Sequence, residues 1–235
     1  MINLHPKSGP TPDVFKTQDA EVKKYFLTHN EIKHNFSLTT PAHSVELVTT
    51  YFDTADGRLF SDQYRKTKRR FKIRSRSFNG SAGVIEIKVK GSLNPKRFWI
   101  SEPGLNLENG GREFIRKALD EAFDPLFARR IEQDLRVVAT TKFDRSSYFT
   151  DDEKQIFDFD ENLVLTTNNS LATIRSEFTL LEVSRLDRIE LVPLEWKSVK
   201  FSKFGATLDL LTGDRVRSHK LGILDNLFDI KQFSQ

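Results

Sequence analysis

The sequence predicts an α+β fold that is mainly antiparallel β, with a few helices laid over the sheet. Three observations lead there. Short stretches with apolar and polar residues in alternation recur along most of the 235 residues, which is the strand period. Two of them, Lys68–Phe78 and Gly83–Lys90, flank the dipeptide Asn79-Gly80, a strong hairpin turn. Between two runs of strands the period changes. Phe114, Ile115, Ala118, Leu119, Ala122 and Phe123 fall on one helical stripe, and Pro125 stops it.

In chain order, residues 1–18 read as a flexible leader, because Pro6, Pro10 and Pro12 interrupt regular pairing. Strands follow at Glu21–Leu27 and Ser44–Phe52, the second ending in the turn Asp53-Thr54-Ala55-Asp56-Gly57. After the hairpin, Arg97–Ser101 extends the sheet and Gly111–Phe123 forms the helix. Strands resume at Leu135–Phe149, Gln155–Phe159, Ala172–Phe178 and Thr179–Arg185. Short helical pieces are expected near Thr207–Leu211 and Leu221–Ile230. No internal repeat or linker interrupts this pattern, so residues 19–235 read as a single domain.

Composition narrows the function. Hydrophobic residues are 37% and charged residues 30% of the chain, with a formal net charge of only +4. That suits a folded domain, not a bulk polycation that coats nucleic acid. The absence of cysteine removes disulfides, thiolate metal sites and cysteine nucleophiles. No apolar run approaches the roughly 18 to 20 residues of a membrane helix, and the N-terminus has no apolar signal core. A cytoplasmic protein is expected.

The most informative stretch is Arg65–Arg76, which holds eight Lys or Arg residues and no acid. On a strand, Arg70, Lys72, Arg74 and Arg76 share one face, with Phe71 and Ile73 on the other. The next strand repeats this, with Glu86, Lys88 and Lys90 opposite Ile85, Ile87 and Val89. A solvated face would mix signs, since like charges side by side destabilise a sheet. A multiply charged anion accounts for the row, because arginine forks match phosphate oxygens. Nucleic acid fits less well: only Phe71 and Phe78 could stack on bases, and no zinc-finger or RNA-binding signature is present.

Tyr51-Phe52-Asp53-Thr54, then the Arg74-x-Arg76 pair and Glu86-Ile87-Lys88, resemble the VTC (polyphosphate polymerase) domain and its CYTH relatives in the triphosphate tunnel superfamily. The agreement of order and spacing runs from about Glu21 to Phe204. The resemblance implies an eight-stranded closed tunnel with covering helices, lined by Arg, Lys and Glu, that holds triphosphate or polyphosphate with Mg²⁺ or Mn²⁺.

Site residues carry over position by position. Arg74, Arg76 and Lys88 match the residues that grip phosphate, with Lys72 and Glu86 beside them. Asp19, Glu21 and Lys23 match the alternating acids and lysine near the start, and an alternative register uses Lys24 before Tyr25. Lys96 and Arg97 resemble the basic pair of the following strand, with Trp99 suggesting packing there too. Lys142-Phe143-Asp144-Arg145-Ser146-Ser147-Tyr148 resembles the segment with a further phosphate-binding arginine, here Arg145. Leu181-Glu182-Val183 matches the strand of the metal-binding glutamate, and Lys200-Phe201-Ser202-Lys203-Phe204 the late signature whose two lysines face substrate. The metal is assigned to Glu182 with Glu21. Two cations of the pattern are missing: Ser184 stands where a lysine is expected, and Gln155-Ile156-Phe157-Asp158 offers no arginine.

Plainer roles compete for several of these residues. Glu86 could serve only as the cross-strand partner of Arg74 or Arg76. Glu182 lies among Leu180, Leu181 and Val183, where an unpartnered carboxylate is costly. Asp158, Asp160 and Glu161 read as a turn, and Tyr51 and Asp53 as geometry-fixing residues. The five histidines show no ligand spacing. The resemblance then implies a metal-dependent phosphotransferase that moves the terminal phosphoryl of a nucleoside triphosphate to phosphate or polyphosphate. Its alternatives are a tripolyphosphatase or nucleoside triphosphatase in the same tunnel, and a non-catalytic polyphosphate-binding module.

Overall fold

Each strand stretch supplies a row of β-branched or aromatic residues to one buried face, the setting in which those residues favour strand. In the computed structural model they occur, with four helices among the described residues, as β1 (Ile2–Pro6), β2 (Glu21–Thr28), α1 (His29–Asn35), β3 (Phe36–Leu38), β4 (Val45–Thr54) and α2 (Arg58–Tyr64). The hairpin follows as β5 (Arg70–Phe78) and β6 (Ser81–Lys90), then β7 (Arg97–Ser101), α3 (Gly111–Ala122) and α4 (Pro125–Asp134). The chain continues through β8 (Leu135–Phe149), β9 (Gln155–Thr167), β10 (Ser170–Ile174), β11 (Phe178–Arg185) and β12 (Phe228–Gln232). The structure describes residues 2–6, 21–38, 43–65, 67, 70–90, 97–101, 107–108, 110–122, 125–150, 155–185, 192–193, 196, 198–199, 201, 203, 205–206, 210 and 226–233.

Two compact units are present, one from Met1–Leu47 with Lys142–Gln235 and one from Val48–Thr141. Both are built mainly of antiparallel strands. The pairings among the described residues do not join into a ring. No helix among them is long and apolar enough to cross a membrane.

In the first unit β11 lies between β2 and β9, antiparallel to both. β9 also pairs with β10, and β10 with β12. One face of the three central strands is apolar: Tyr25 and Leu27, Leu181 and Val183, Phe157 and Phe159 pack with Leu4, Phe36, Tyr148 and Val192. Trp196 closes this core with tilted contacts to Tyr25 and Phe36. The alternate positions of the same strands point the other way, and Lys24, Glu182, Asp158 and Asp160 among them carry charge.

Three local features here differ from the sequence expectation. Residues 2–6 form a strand, parallel to β3 and antiparallel to β8. Pro6 ends that strand, where its missing N–H costs the ladder little. α1 is started by a capping box: Thr28 Oγ1 accepts from the Glu31 N–H at 3.2 Å, and Glu31 Oε2 accepts from the Thr28 N–H at 2.7 Å. The expected helix over Leu221–Ile230 is replaced at its end by β12, whose Phe228 is buried opposite Ile174. Pairing with β10 overrides the local helical pattern. The remaining expected helix, near Thr207–Leu211, lies almost wholly outside the described residues.

In the second unit β5, β6 and β7 form an antiparallel meander. Phe71, Ile73, Ile85, Ile87 and Val89 all face one core, which Ile115, Ala118 and Leu119 of α3 and Ala128 and Ile131 of α4 complete. The apolar stripe of α3 therefore packs as its period predicts, and Pro125 opens a second helix, its fixed φ suiting a first turn. Trp99 does not join this core; it is 50% exposed, while Phe98 and Ile100 pack inward.

The expected turn after β4 leads into α2. Gly57 takes the left-handed φ of 67° at its N-cap. Asp53 is buried and accepts from the N–H groups of Leu59 at 2.8 Å, Phe60 at 3.0 Å and Thr54 at 2.7 Å. Burial raises its pKa above the ordinary 3.8, and these hydrogen bonds offset part of the rise. From pH 3.8 up to the raised value the folded state holds a proton that the unfolded chain has released. Stability from Asp53 is therefore complete below pH 3.8 and declines as pH rises through the folded pKa. Urea titrations across pH should show wild type losing stability relative to Asp53→Asn over this window. A gap that is independent of pH would contradict it.

Candidate phosphate-binding site

The charged face of the first unit is built by register. Glu182 stands opposite Lys24 on β2 and Asp158 on β9, so all three project to the side away from the aromatic core. Arg145 reaches the same place from β8. Its Nε and Nη2 donate to the two oxygens of Asp160 at 2.5 and 2.7 Å, and its Nη1 to Asp158 at 3.1 Å. Nη2 also lies 3.3 Å from Glu182 Oε2. Lys24 donates to Glu182 Oε1 at 2.5 Å, and Lys203 donates to the same oxygen at 3.1 Å and to Asp160. Ser147 Oγ donates to Asp158 at 2.7 Å.

These are buried ions. Arg145 and Lys203 are each 8% exposed and Glu182 7%. Charges in such a place persist only when each is paired, and here three cations meet three carboxylates. Phe143 lies beneath both cations, 3.9 Å from Lys203 Nζ and 5.2 Å from the Arg145 guanidinium. Burial lowers the pKa of Lys24, Lys203 pushes it further down, and Glu182 acts in the opposite sense.

Asp158 and Asp160 correct the sequence reading, which placed them in a turn. They occupy the middle of β9, alternating with Phe157 and Phe159. The strand is buried on both faces, apolar on one and ionic on the other. The Phe-Asp-Phe-Asp alternation was the available signal, since it is the strand period itself. Among the remaining expected residues here, Lys23 lies opposite Val183 and Glu21 opposite Arg185, at positions that alternate with Lys24. Lys200 lies outside the described residues, as does the side chain of Glu21.

In the second unit, β5 and β6 bring the expected cations onto one face. Lys72 stands directly opposite Lys88, Arg74 opposite Glu86, and Arg70 opposite Lys90. Arg74 donates from Nη2 at 2.6 Å and Nε at 3.1 Å to one oxygen of the buried Glu86. Arg97 on β7 continues the Lys72–Lys88 row by register. Its side chain and all of Lys96 lie outside the described residues.

With this geometry in hand, the model of the VTC domain matches residues 14–212. The chain belongs to the VTC domain family. No curated protein matches it. Solved structures similar to this VTC domain include the PH1819 protein of Pyrococcus horikoshii OT3, at TM-score 0.46 and 14% identity over 82% of this chain and 98% of that one. A candidate adenylyl cyclase from Hippeastrum with a dominant triphosphatase activity matches at TM-score 0.44 and 11% identity, over 88% and 95%. A candidate adenylate cyclase from Bacillus halodurans matches at 0.40 and 11%, over 91% of each.

Among the described residues no group of three or more acidic or histidine side chains could by itself hold a metal ion. Glu182, the expected ligand, has its oxygens turned to Lys24, Lys203 and Arg145. A single carboxylate of this kind fits Mg²⁺ or Mn²⁺ only as one ligand among phosphate oxygens and water, the way such ions are held beside polyphosphates.

Proposed function

We propose that this VTC domain binds triphosphate or polyphosphate and acts as a polyphosphate polymerase-like phosphotransferase, moving the terminal phosphoryl of a nucleoside triphosphate to phosphate or a polyphosphate chain. The observation that carries the reading is the cationic face of β5 and β6, where Lys72 and Lys88 oppose each other directly and Arg74 and Arg76 continue the row. Arginine and lysine gathered on one face suit a polyanion, whose oxygens accept charge-assisted hydrogen bonds from them. Membership of the family supports the choice of phosphate. The closed eight-stranded tunnel implied by the resemblance is part of the same proposal.

In this reading Arg74, Arg76, Lys72 and Lys88 hold phosphate oxygens, with Glu86 fixing the Arg74 fork. Arg145, Lys24 and Lys203 serve phosphate in the first unit, Lys24 taking the place expected for Lys23, and Lys200, Lys96 and Arg97 are assigned with them from the resemblance. Glu182 is the carboxylate for Mg²⁺ or Mn²⁺, the position of Glu21 falling on the alternate set of β2, and the ion supplies charge neutralisation on the phosphoryl oxygens. Phosphoryl transfer asks the protein chiefly for such positioning and neutralisation. Neutral Ser184 and Ile156, where the family pattern has cations, favour a second reading: a polyphosphate-binding module without turnover.

Tripolyphosphate should raise the melting temperature, and less so at high salt, because it binds only the folded state through screened charges. Arg74→Ala with Arg76→Ala should lower its affinity by about 3–6 kcal/mol, two charge-assisted contacts at about 1.5–3 kcal/mol each. Unchanged affinity would place the site elsewhere. Incubation with ATP and Mn²⁺ separates the activities: polymer on a gel supports the transferase, free phosphate alone a hydrolase, and neither the binding module.

A further inference from the structure

The meander of the second unit carries an aromatic ring on its charged face. The register sets Trp99 of β7 directly opposite Glu86 of β6, and Glu86 opposite Arg74 of β5. Residues opposite one another share a face of the sheet, and Arg74 donates to Glu86 across it. Trp99 therefore stands on the side of the cations, while its chain neighbours Phe98 and Ile100 pack into the core behind. One row along, about 7 Å away, the same three strands align Lys72, Lys88 and Arg97. The row on the other side aligns Arg76, the buried Val84 and Ser101. Trp99 itself is half exposed. A single large apolar residue on a surface is ordinary; the place of this one gives it meaning. Phosphate alone does not account for it, because the electron-rich face of an indole repels anions and its one N–H is a lone donor. An aromatic ring beside a cationic row is the combination that takes nucleotides, with cations on the backbone phosphates and the ring stacked on the base.

We infer that Trp99 is the stacking platform for the base of a nucleoside triphosphate whose phosphates lie on the cations of β5 and β6. The inference rests on the phosphate-binding reading above and deepens it by naming the residue that meets the organic end of the substrate. Two strand spacings, about 10 Å, separate the backbone at Trp99 from that at Arg74, which leaves the sugar room between base and phosphates. Stacking adds affinity with little choice among bases, because every base has a π-face. Tripolyphosphate and inorganic polyphosphate have nothing to place on the ring. Trp99 thus favours a nucleotide over an inorganic chain at the same cations.

The test is calorimetric titration of ATP, GTP and tripolyphosphate into wild type, Trp99→Ala and Trp99→Phe. Trp99→Ala is expected to weaken both nucleotides about tenfold, the loss of one stacked base, and to leave tripolyphosphate affinity unchanged. Trp99→Phe should keep most of the nucleotide affinity, since a smaller ring still stacks. Emission gives a second readout, because the chain has two tryptophans and the other, Trp196, belongs to the first unit. In Trp196→Phe protein ATP should quench the remaining tryptophan, and tripolyphosphate should not. The platform is wrong, while the phosphate-binding reading stands, if tripolyphosphate binds wild type and any of three results follows: the nucleotides do not bind, Trp99→Ala shifts all ligands equally or not at all, or ATP leaves the emission unchanged. If no ligand binds folded wild type, that reading fails and the platform with it.

Discussion

Arg145→Met is expected to destabilise the protein by about 3–5 kcal/mol, the cost of removing one partner from a buried ionic network. The guanidinium holds both oxygens of Asp160, which is fully buried, and one oxygen of Asp158. Methionine fills much of the volume but takes away the guanidinium, leaving Lys203 on Asp160 and Ser147 on Asp158. The cost is that of buried charge that has lost its partner. Two controls make the cause visible. Adding Asp160→Asn to Arg145→Met should recover part of the loss, since it removes the charge left without its main partner. Arg145→Lys should recover less than its charge implies, because an ammonium cannot span two carboxylates as the planar fork does. Urea midpoints at pH 7 measure all three. A loss under about 1 kcal/mol in Arg145→Met, the range of solvated surface pairs, would show that the network is open to water.

Gly83→Ala is expected to be comparably severe, for a steric reason. Between Arg76 and Phe78 the β5–β6 register slips, so two residues of β6 stand against one of β5. At this bulge a Cβ on Gly83 would sit 1.2 Å from the Arg76 carbonyl oxygen and 2.2 Å from its carbon. Those are backbone atoms, so no side-chain rotation relieves the overlap. Forcing extra atoms into a packed site costs about 1–3 kcal/mol, and more when backbone must move. The displaced segment carries Arg76, so tripolyphosphate affinity should fall along with the melting temperature. Gly80→Ala is the contrast: open space surrounds that position, and only its left-handed φ of 71° penalises alanine. If Gly83→Ala melts as wild type does, the bulge is not where the structure places it.

The two variants probe opposite kinds of information. The charged face of β5 and β6 was legible in the sequence because alternation is local: Arg74, Arg76, Glu86 and Lys88 share a face wherever the hairpin lies. The apolar stripe of α3 was legible for the same reason. α1 went unrecognised although Thr28-His29-Asn30-Glu31 carries its capping box. α2 was hidden because its capping acceptor, Asp53, lies five residues before the helix begins. β12 was hidden because its pairing with β10 outweighs a helical pattern in the tail.

By itself, then, the sequence determined the strand periods, the hairpin turn, the faces of the cationic strands and the resemblance to VTC domains. Only the tertiary structure decided that Lys24 is the lysine opposite Glu182, that Asp158 and Asp160 are buried partners of Arg145, and that Trp99 shares a face with Arg74 and Glu86. Lys24 and Glu182 are 158 residues apart. Which strands pair, and in which register, depends on cores assembled from distant segments, and a shift of one residue would send every side chain to the other face.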